Sequence, residues 1–218
     1  AGRFDATDSA LYILTFKQDG RVAGIAPANQ EQVFAFDLLL NPAIQLVTLN
    51  GKAGTGKTLI ALAAGCKLVL EDSVFQKMLV SRPVIPMGKD LGFIPGSMRE
   101  KLDPWMEPLY DNFDIIFSAG DKKHERQKRD IRSIIEGTAL IQVEALSYIR
   151  GRSMPDQFLL VDEAQNLSPH EVKTIITRAG KNTKVVLTGD PYQIDHPYLD
   201  SNSNGLNYAV EKFKQSPI

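Results

Sequence analysis

Short, continuous apolar runs recur along the chain and alternate with longer segments that have a helical pattern. The runs are IQLVTL (44–49), KMLVS (77–81), ALIQV (139–143), QFLLVD (157–162) and KVVLTGD (184–190). They are too continuous for strands with one solvent-exposed face, and they suit a parallel sheet that is covered on both faces. Residues 29–40 and 59–70 are typical of helices between such strands. The pattern therefore predicts an α/β fold, with a mostly parallel sheet and helices on both faces.

The N-terminal residues depart from this alternation. Two runs rich in β-forming residues, LYILTF and VAGI, are joined by KQDGR, whose Asp-Gly pair is typical of a hairpin turn. We therefore expect a short β-hairpin extension at residues 1–26, followed by the main domain at residues 27–218.

A second departure lies between two of the predicted strands. Residues 82–108 contain five prolines and three glycines, more than a regular packed element accommodates. This segment is expected to form an elaborated loop inserted into the α/β domain.

Composition narrows the class of protein. A chain of 218 residues with 43% hydrophobic residues can bury the core of one α/β domain. The formal net charge is −1, so any basic surface must be local. The single cysteine, Cys66, excludes a disulfide framework and a cysteine-based zinc site. The sequence shows no signal peptide and no run of eighteen apolar residues, so we expect a cytoplasmic location and no membrane association. Because the chain starts at Ala1 and not at a methionine, we expect it to be a fragment of a longer protein.

The stretch GKAGTGKT lies directly between a predicted strand and a predicted helix. It matches G-x-x-x-x-G-K-[ST], the phosphate-binding P-loop. Its glycines allow successive N–H groups to turn inward, and the helix N terminus adds a positive dipole. We expect Lys57 to reach the β and γ phosphates and the Thr58 hydroxyl to bind Mg²⁺. The residues expected to bind nucleotide here are Gly51, Lys52, Ala53, Gly54, Thr55, Gly56, Lys57 and Thr58.

The run FLLVDEAQ ends a predicted strand with two acids. Asp162 is expected to hold Mg²⁺, and Glu163 beside it can polarise a water for attack on the γ phosphate. A small-molecule kinase shares the P-loop but has no need of a water-activating base. The tandem acids therefore favour an ATPase.

Two further polar stretches have two interpretations each. In VVLTGDPYQID, Gln193 can contact the γ phosphate or the attacking water, or GDPYQ can simply form a turn. In NQEQVFA, Gln32 can form a capping box with Asn29, or its side chain can bind the adenine edge of ATP. The two roles of Gln32 are compatible.

These motifs together resemble those of a known family. Four of them are similar to motifs of the ATPase core of superfamily 1 helicases: NQEQVFA, GKAGTGKT, LLVDEAQN and LTGDPYQID. The segments that link these motifs resemble specifically the PhoH family. The linking matches are SRPVIPMGKDLGFIPGSMREKLDPWMEPLYDN, YIRGRSMPDQFLLVDEAQN and IITRAGKNTKVVLTGDPYQID. The resemblance extends over about residues 27 to 206 and implies a RecA-like P-loop NTPase fold.

The resemblance also implies a function. It implies an ATP-binding, Mg²⁺-dependent ATPase connected with RNA, in which Lys57, Thr58, Asp162, Glu163 and Gln193 have the roles already given. The N-terminal hairpin resembles that of PhoH domains which follow a PIN ribonuclease domain. Such a domain is therefore expected upstream in the full-length chain.

The resemblance further points to Arg178, at a family position where an arginine can complete a catalytic site. The alternative is a helix-terminal arginine that faces the dipole of its own helix. A superfamily 1 helicase has two RecA-like domains, whereas this chain contains one P-loop core. The resemblance therefore does not by itself imply helicase activity. We expect a homo-oligomer, for example a ring, in which a neighbouring subunit can supply the arginine. The candidates are Arg82, Arg150, Arg152 and Arg178.

Contact with RNA has two candidate regions. DKKHERQKRDIRS contains six basic and three acidic residues, and it can follow a phosphate backbone or form a solvated helix face. Met87, Phe93, Trp105 and Tyr110 can stack on bases or anchor their segment to the core. Two other function classes remain open, a small-molecule P-loop kinase and a nucleotide-gated oligomeric assembly module.

Overall fold

The computed structural model describes residues 2–5, 10–85, 98–119, 131–146, 149 and 153–214. The strands are β1 (Gly2–Asp5), β2 (Ala10–Ile13), β3 (Leu46–Asn50), β4 (Lys77–Arg82), β5 (Ile141–Ala145), β6 (Gln157–Val161) and β7 (Lys184–Gly189). The helices are α1 (Gln30–Leu40), α2 (Lys57–Cys66), α3 (Met98–Ala119), α4 (Ile131–Thr138), α5 (Pro169–Ile176) and α6 (Gly205–Phe213). A π-helical turn, Lys67–Glu71, extends α2, and a 3-10 turn spans Ala164–Asn166. No helix within these ranges is long and apolar enough to cross a membrane.

Strands β3 to β7 form one sheet in the order β3-β7-β6-β4-β5, and every neighbouring pair is parallel. Each of the five apolar runs is one of these strands. The predicted α/β class with a parallel sheet is therefore confirmed.

The strands are apolar throughout because helices cover both faces of the sheet. On β6, Phe158 and Leu160 belong to the core cluster shared with α1 to α4. Leu159 and Val161, which alternate with them, belong to the cluster shared with α5 and α6. A strand with two buried faces cannot show the alternation of polar and apolar residues that marks a half-exposed strand.

The prediction of an irregular loop over residues 82–108 is wrong for its second half. Helix α3 begins at Met98 and continues through Pro104 and Pro108. Its buried residues recur at helical spacing and pack on the core: Leu102, Met106, Leu109, Phe113 and Ile116. Burial of this stripe outweighs the hydrogen bonds lost at the prolines. Residues 86–97 lie outside the described ranges.

The predicted N-terminal hairpin is also wrong in its pairing. Strand β2 pairs antiparallel with β1, upstream of it, and not with residues 22–25. Downstream of β2, the backbone N–H groups of Thr15 and Phe16 donate to Oδ1 of Asp37 in α1, at 2.7 and 3.1 Å. These two N–H groups, which the expected hairpin would use for strand pairing, therefore donate to a carboxylate of the main domain.

Lys184, the first residue of β7, is buried at the opposite edge of the sheet from the P-loop. Its Nζ donates to the carbonyl oxygens of Leu38 and Asn41, at the C-terminal end of α1. Burial lowers the pKa of Lys184 to about 7. The lysine thus joins α1 to the sheet through two carbonyls that lack partners within the helix.

Candidate nucleotide-binding site

The P-loop connects β3 to α2 at the carboxyl edge of the sheet. Gly54 and Gly56 have φ values of +76° and +81°, in the left-handed region that favours glycine. A Cβ at Gly56 would also lie 3.2 Å from Nε2 of Gln32. Because Gly56 caps α2, the free N–H groups of the first turn and the positive end of the dipole are directed at the loop. This arrangement suits a polyphosphate.

A cavity of about 220 Å³ adjoins the loop. Eight predicted site residues line it: Ala53, Gly54, Gly56, Lys57, Thr58, Asp162, Glu163 and Gln193. Residues separated by more than a hundred positions in the chain thus meet at one place. In the described part of the chain, the lining does not include Gln32 or Arg178.

The ammonium group of Lys57 lies inside the curve of the loop. Its Nζ donates to the carbonyl oxygens of Gly51 and Lys52, each at 2.8 Å. The Thr55 hydroxyl donates to the same Lys52 carbonyl, also at 2.8 Å. The loop therefore holds a full positive charge beside the helix N terminus.

Asp162 connects the P-loop helix to the sheet. Its Oδ1 accepts hydrogen bonds from the hydroxyls of Thr58, at 2.8 Å, and of Thr188, at 2.6 Å. The carboxylate is buried. Mg²⁺ typically takes one or two carboxylates and completes its coordination with phosphate oxygens and water. A carboxylate and a threonine hydroxyl in contact beside the P-loop fit that donor set.

Glu163 follows in a backbone conformation that is unusual for a residue with a side chain. Its φ is 55°, in the left-handed region. Its Oε1 accepts from Nη2 of Arg82 at 3.2 Å, and its Oε2 accepts from Nε2 of Gln165 at 2.6 Å. The carboxylate is thus held from both sides at the cavity wall.

Gln165 is a site residue that the sequence motifs did not single out. It is fully buried, and its amide joins three elements of the site. Besides Glu163, its Nε2 donates to the carbonyl of Gln193 at 2.9 Å, and its Oε1 accepts from the N–H of Asp190 at 3.2 Å. A Cβ at Gly189 would collide with that Oε1, so a side chain at this position would displace the Gln165 amide. The only sequence signal was its place in DEAQ.

Asp190, the acid of the GDPYQ segment, is a second site residue to which the sequence assigns no role. Its Oδ2 accepts from the N–H of Ala53 in the P-loop at 3.0 Å, and its Oδ1 accepts from the N–H of Tyr192, also at 3.0 Å. The carboxylate therefore fixes the P-loop backbone to the segment that carries Gln193.

Gln32 combines a capping role with a contact to the P-loop. Its N–H donates to Oδ1 of Asn29 at 2.9 Å, and its Oε1 accepts from the N–H of Ala28 at 2.6 Å. Its Nε2 donates to the carbonyl of Thr55 at 3.1 Å. The Asn29 cap is present, but the reciprocal bond comes from Ala28 and not from Asn29, so the predicted capping box is only half formed. Binding of adenine stays a prediction.

Arg178 lies just beyond α5, away from the P-loop. Its carbonyl accepts from the N–H of Met154, three residues before β6 begins, whereas Asp162 follows the other end of that strand. The Arg178 backbone is therefore at the amino edge of the sheet. Its side chain lines a separate cavity of about 190 Å³, together with His170 and Thr174. Arg150 and Arg152 lie outside the described residues.

These features define a P-loop nucleotide-binding protein of the α/β class: the loop geometry, the lysine within the loop, and the contact between Thr58 and Asp162. The particular family follows from comparison with known proteins, since the family described as "PhoH-like protein" matches residues 24–218. The chain belongs to the PhoH family, as its motifs suggested.

Named relatives agree with this assignment. The chain is 52% identical over 217 residues to Protein PhoH2 of Bacillus subtilis (strain 168), covering 100% of this chain and 48% of the relative. It is 35% identical over 212 residues to Protein PhoH2 of Mycolicibacterium smegmatis, covering 97% of this chain and 46% of the relative. The chain thus spans about half the length of these curated relatives.

Two solved structures are similar at low identity. The Sulfolobus solfataricus SWI2/SNF2 ATPase core in complex with dsDNA has 19% identity and a TM-score of 0.46, covering 90% of this chain and 41% of that one. Bacteroides Pif1 bound to ssDNA has 15% identity and a TM-score of 0.35, covering 87% and 37%. The bound DNA belongs to those two proteins.

Proposed function

We propose that this chain binds ATP together with Mg²⁺, hydrolyses the ATP, and couples hydrolysis to RNA. The observation that carries the proposal is the meeting of three groups at one cavity. Lys57 supplies a positive charge within the P-loop, Thr58 and Asp162 present hard oxygen ligands, and Glu163 presents a carboxylate at the wall. Those are the parts that hydrolysis of a nucleoside triphosphate requires.

Each residue has a chemical task. The P-loop N–H groups and Lys57 bind the β and γ phosphates, while Thr58 and Asp162 hold Mg²⁺. When bound, Mg²⁺ would offset the negative charge that develops on the phosphate oxygens. Glu163 accepts a proton from water as the water oxygen bonds to the γ phosphorus and the bond to ADP breaks. Gln193 orients that water or the γ phosphate, and Gln32 binds the adenine edge.

A small-molecule kinase is the less favoured alternative. A kinase transfers the phosphoryl group to a hydroxyl of a second substrate, and water must be kept from competing. Here Glu163 is at the cavity wall and is held there by Arg82 and Gln165. A carboxylate fixed at that point favours water as the acceptor.

The RNA proposal draws support from two exposed aromatic rings that follow the site. Tyr192 and Tyr198 are 83% and 88% exposed, and Tyr192 is tied to the P-loop through Asp190. Unpaired bases stack on such rings with little dependence on sequence. By contrast, Trp105 and Tyr110 pack on the core, which favours the anchoring interpretation for them.

The oligomer proposal draws support from the position of the arginines. An arginine that offsets transition-state charge increases the rate of phosphoryl transfer by about 10³ to 10⁵. The Arg178 backbone is at the amino edge of the sheet, and Arg178 lines a cavity separate from the P-loop cavity, which favours contact with a neighbouring subunit over contact with the nucleotide of its own chain. A closed ring of head-to-tail contacts would bring each such arginine to the next P-loop. The same ring would also serve a nucleotide-gated assembly module, in which hydrolysis only resets the conformation.

Two further proposals concern the full-length protein. We propose a PIN ribonuclease domain upstream of this segment, on the basis of the N-terminal resemblance. We also propose a cytoplasmic location, on the basis of composition and of the single, buried Cys66. Determination of the complete reading frame tests the upstream domain. Fractionation of cells that produce the full-length protein tests its location.

The experiment that tests the main proposal is release of inorganic phosphate from Mg·ATP by the purified protein, with no acceptor added. Release without an acceptor supports the ATPase and excludes the kinase. Addition of single-stranded RNA then separates an RNA-coupled ATPase, which is stimulated, from an assembly module, which is not. No release from Mg·ATP with or without RNA would overturn the proposal.

A further inference from the structure

Arg82 lies beside the proposed water-activating base. It is the last residue of β4, which pairs with β6, and Asp162 continues that pairing by donating its N–H to the carbonyl of Ser81 at 2.9 Å. The chain thus leaves β6 next to the end of β4. As a result, Nη2 of Arg82 is 3.2 Å from Oε1 of Glu163 in the same chain.

The ion pair is partly shielded from solvent. The side chains of Arg82 and Glu163 are 22% and 33% exposed. Screening by salt and water is weaker for such a pair than for a fully exposed pair. The ion pair is therefore able to fix the orientation of the Glu163 carboxylate.

The second oxygen of Glu163 is fixed by a different kind of partner. Gln165 donates to Oε2, and its own amide is held by Asp190 and Gln193. The backbone of Glu163 is in the left-handed region, which persists only where surrounding contacts enforce it. Arg82 is the charged half of this clamp, and Gln165 is the neutral, buried half.

We infer that Arg82 is a positioning residue that holds the Glu163 carboxylate toward the cavity, and that it acts within its own chain. This inference rests on the proposed ATPase function. Each carboxylate oxygen has two lone pairs, so one bond from Arg82 and one from Gln165 leave acceptor sites for a water proton. Arg82 therefore orients the base without occupying it. This role differs from that of an arginine that contacts the nucleotide of another subunit.

The test measures ATP hydrolysis and Mg·ATP affinity separately. Arg82→Ala is expected to lower kcat by about 10- to 100-fold, less than the roughly 10²- to 10⁴-fold that a general base contributes, because the Glu163 carboxylate itself remains. Affinity for Mg·ATP should change by less than about twofold, since Arg82 does not touch the P-loop in this role. Arg82→Lys, which keeps the charge but not the planar fork, should recover part of kcat. Lys67→Ala is the control, because Lys67 pairs with Glu71 and Asp72 away from the cavity.

A double variant separates positioning from general loss of structure. If Arg82 acts through Glu163, Arg82→Ala should lower kcat no further in a Glu163→Gln background. Thermal unfolding checks that each variant is folded. If Arg82→Ala does not fold, Arg82→Gln replaces it, because the amide keeps an N–H donor and removes the charge.

Three results would overturn the inference. The first is an Arg82→Ala enzyme with normal kcat, and the second is a loss confined to KM, which would indicate direct contact with the nucleotide. The third is recovery of activity when Arg82→Ala and Lys57→Ala subunits are mixed, which would indicate action in trans. Absence of hydrolysis by the unmodified protein would overturn the proposed function as well, so the two failures are distinguishable.

Discussion

The hydroxyl of Thr58 donates a 2.8 Å hydrogen bond to Oδ1 of Asp162, although the two residues are 104 positions apart in the chain. The first turn of α2 and the end of β6 are therefore in direct contact. Thr188, near the end of β7, which lies between β3 and β6 in the sheet, donates to the same oxygen. A metal ion at this point would be bound by groups that are already oriented by one another, which reduces the entropy lost on binding.

Replacement of the P-loop lysine tests the phosphate site. Lys57→Ala should lower kcat by at least about 100-fold and weaken ATP binding, because it removes a full charge from the phosphates. Phosphate release and nucleotide titration measure the two effects. Lys77→Ala, at the start of β4 on the opposite edge of the sheet, is the matched control. Near-normal hydrolysis by Lys57→Ala would refute the site.

Mutation of the two adjacent acids, Asp162 and Glu163, should have different effects on binding and on hydrolysis. Glu163→Gln should keep its affinity for Mg·ATP and lose about 10² to 10⁴ in kcat, since it removes the base but not the metal ligand. Asp162→Asn should weaken the dependence of binding on Mg²⁺. Calorimetry with and without Mg²⁺ distinguishes the variants. Equal loss of binding in Glu163→Gln would mean that the two roles have been exchanged.

Gln32 offers a test of nucleotide selectivity. Gln32→Ala should reduce discrimination of ATP over GTP if the side chain binds adenine. Asn29→Ala removes the cap acceptor of the Gln32 N–H and leaves the contact between Gln32 and Thr55 in place. The Asn29 variant should lose about 1 kcal/mol of stability with an unchanged ratio of ATP to GTP affinity. If Gln32→Ala behaves in the same way, Gln32 only caps the helix.

Lys184 should make stability depend on pH. Its pKa is about 7 in the folded chain, below the usual value of 10.5, because the side chain is buried. Between these pH values the unfolded chain binds more protons, so stability should rise with pH, by up to about 1.4 kcal/mol per unit. The neutral amine keeps two N–H donors for the carbonyls of Leu38 and Asn41. Between pH 7 and pH 9, the free energy of unfolding measured with urea should increase more for the unmodified protein than for Lys184→Met. Equal increases in the two proteins would contradict the prediction.

Mixed subunits test the role of Arg178. If this arginine acts on a neighbour, Arg178→Ala mixed with Lys57→Ala should recover activity that neither parent has. The reason is that some interfaces in the mixture combine an intact P-loop with an intact arginine. Failure to recover despite demonstrated subunit exchange, with specific activity independent of dilution, would mean that one chain contains a complete site.

The parts of the site that the sequence predicted are those defined by local spacing. The P-loop depends on glycines with positive φ next to a helix N terminus, and such backbone geometry is specified by adjacent residues. Asp162 and Glu163 were predicted because they end an apolar strand, and parallel strands bring their carboxyl ends to one edge. The five strands were predicted because a sheet buried on both faces leaves continuous apolar runs.

Contacts between distant segments could not be predicted in this way. The helix through Pro104 and Pro108 depends on an apolar stripe packed against the core, and the capture of Thr15 and Phe16 by Asp37 depends on the position of α1. In both cases burial or a distant acceptor outweighs the local propensity. Local signals alone favoured a loop and a different hairpin.

The sequence by itself determined the class of protein, the order of its strands along the chain and most of the residues that line the P-loop cavity, because spacing within one turn or one strand is a local property. Only the tertiary structure decided that Arg82 and Gln165 hold Glu163, that Asp190 joins the P-loop to the segment of Gln193, and that Arg178 lies at the opposite edge. Those relationships depend on strand order and on side-chain reach between segments far apart in the chain, which no local pattern specifies.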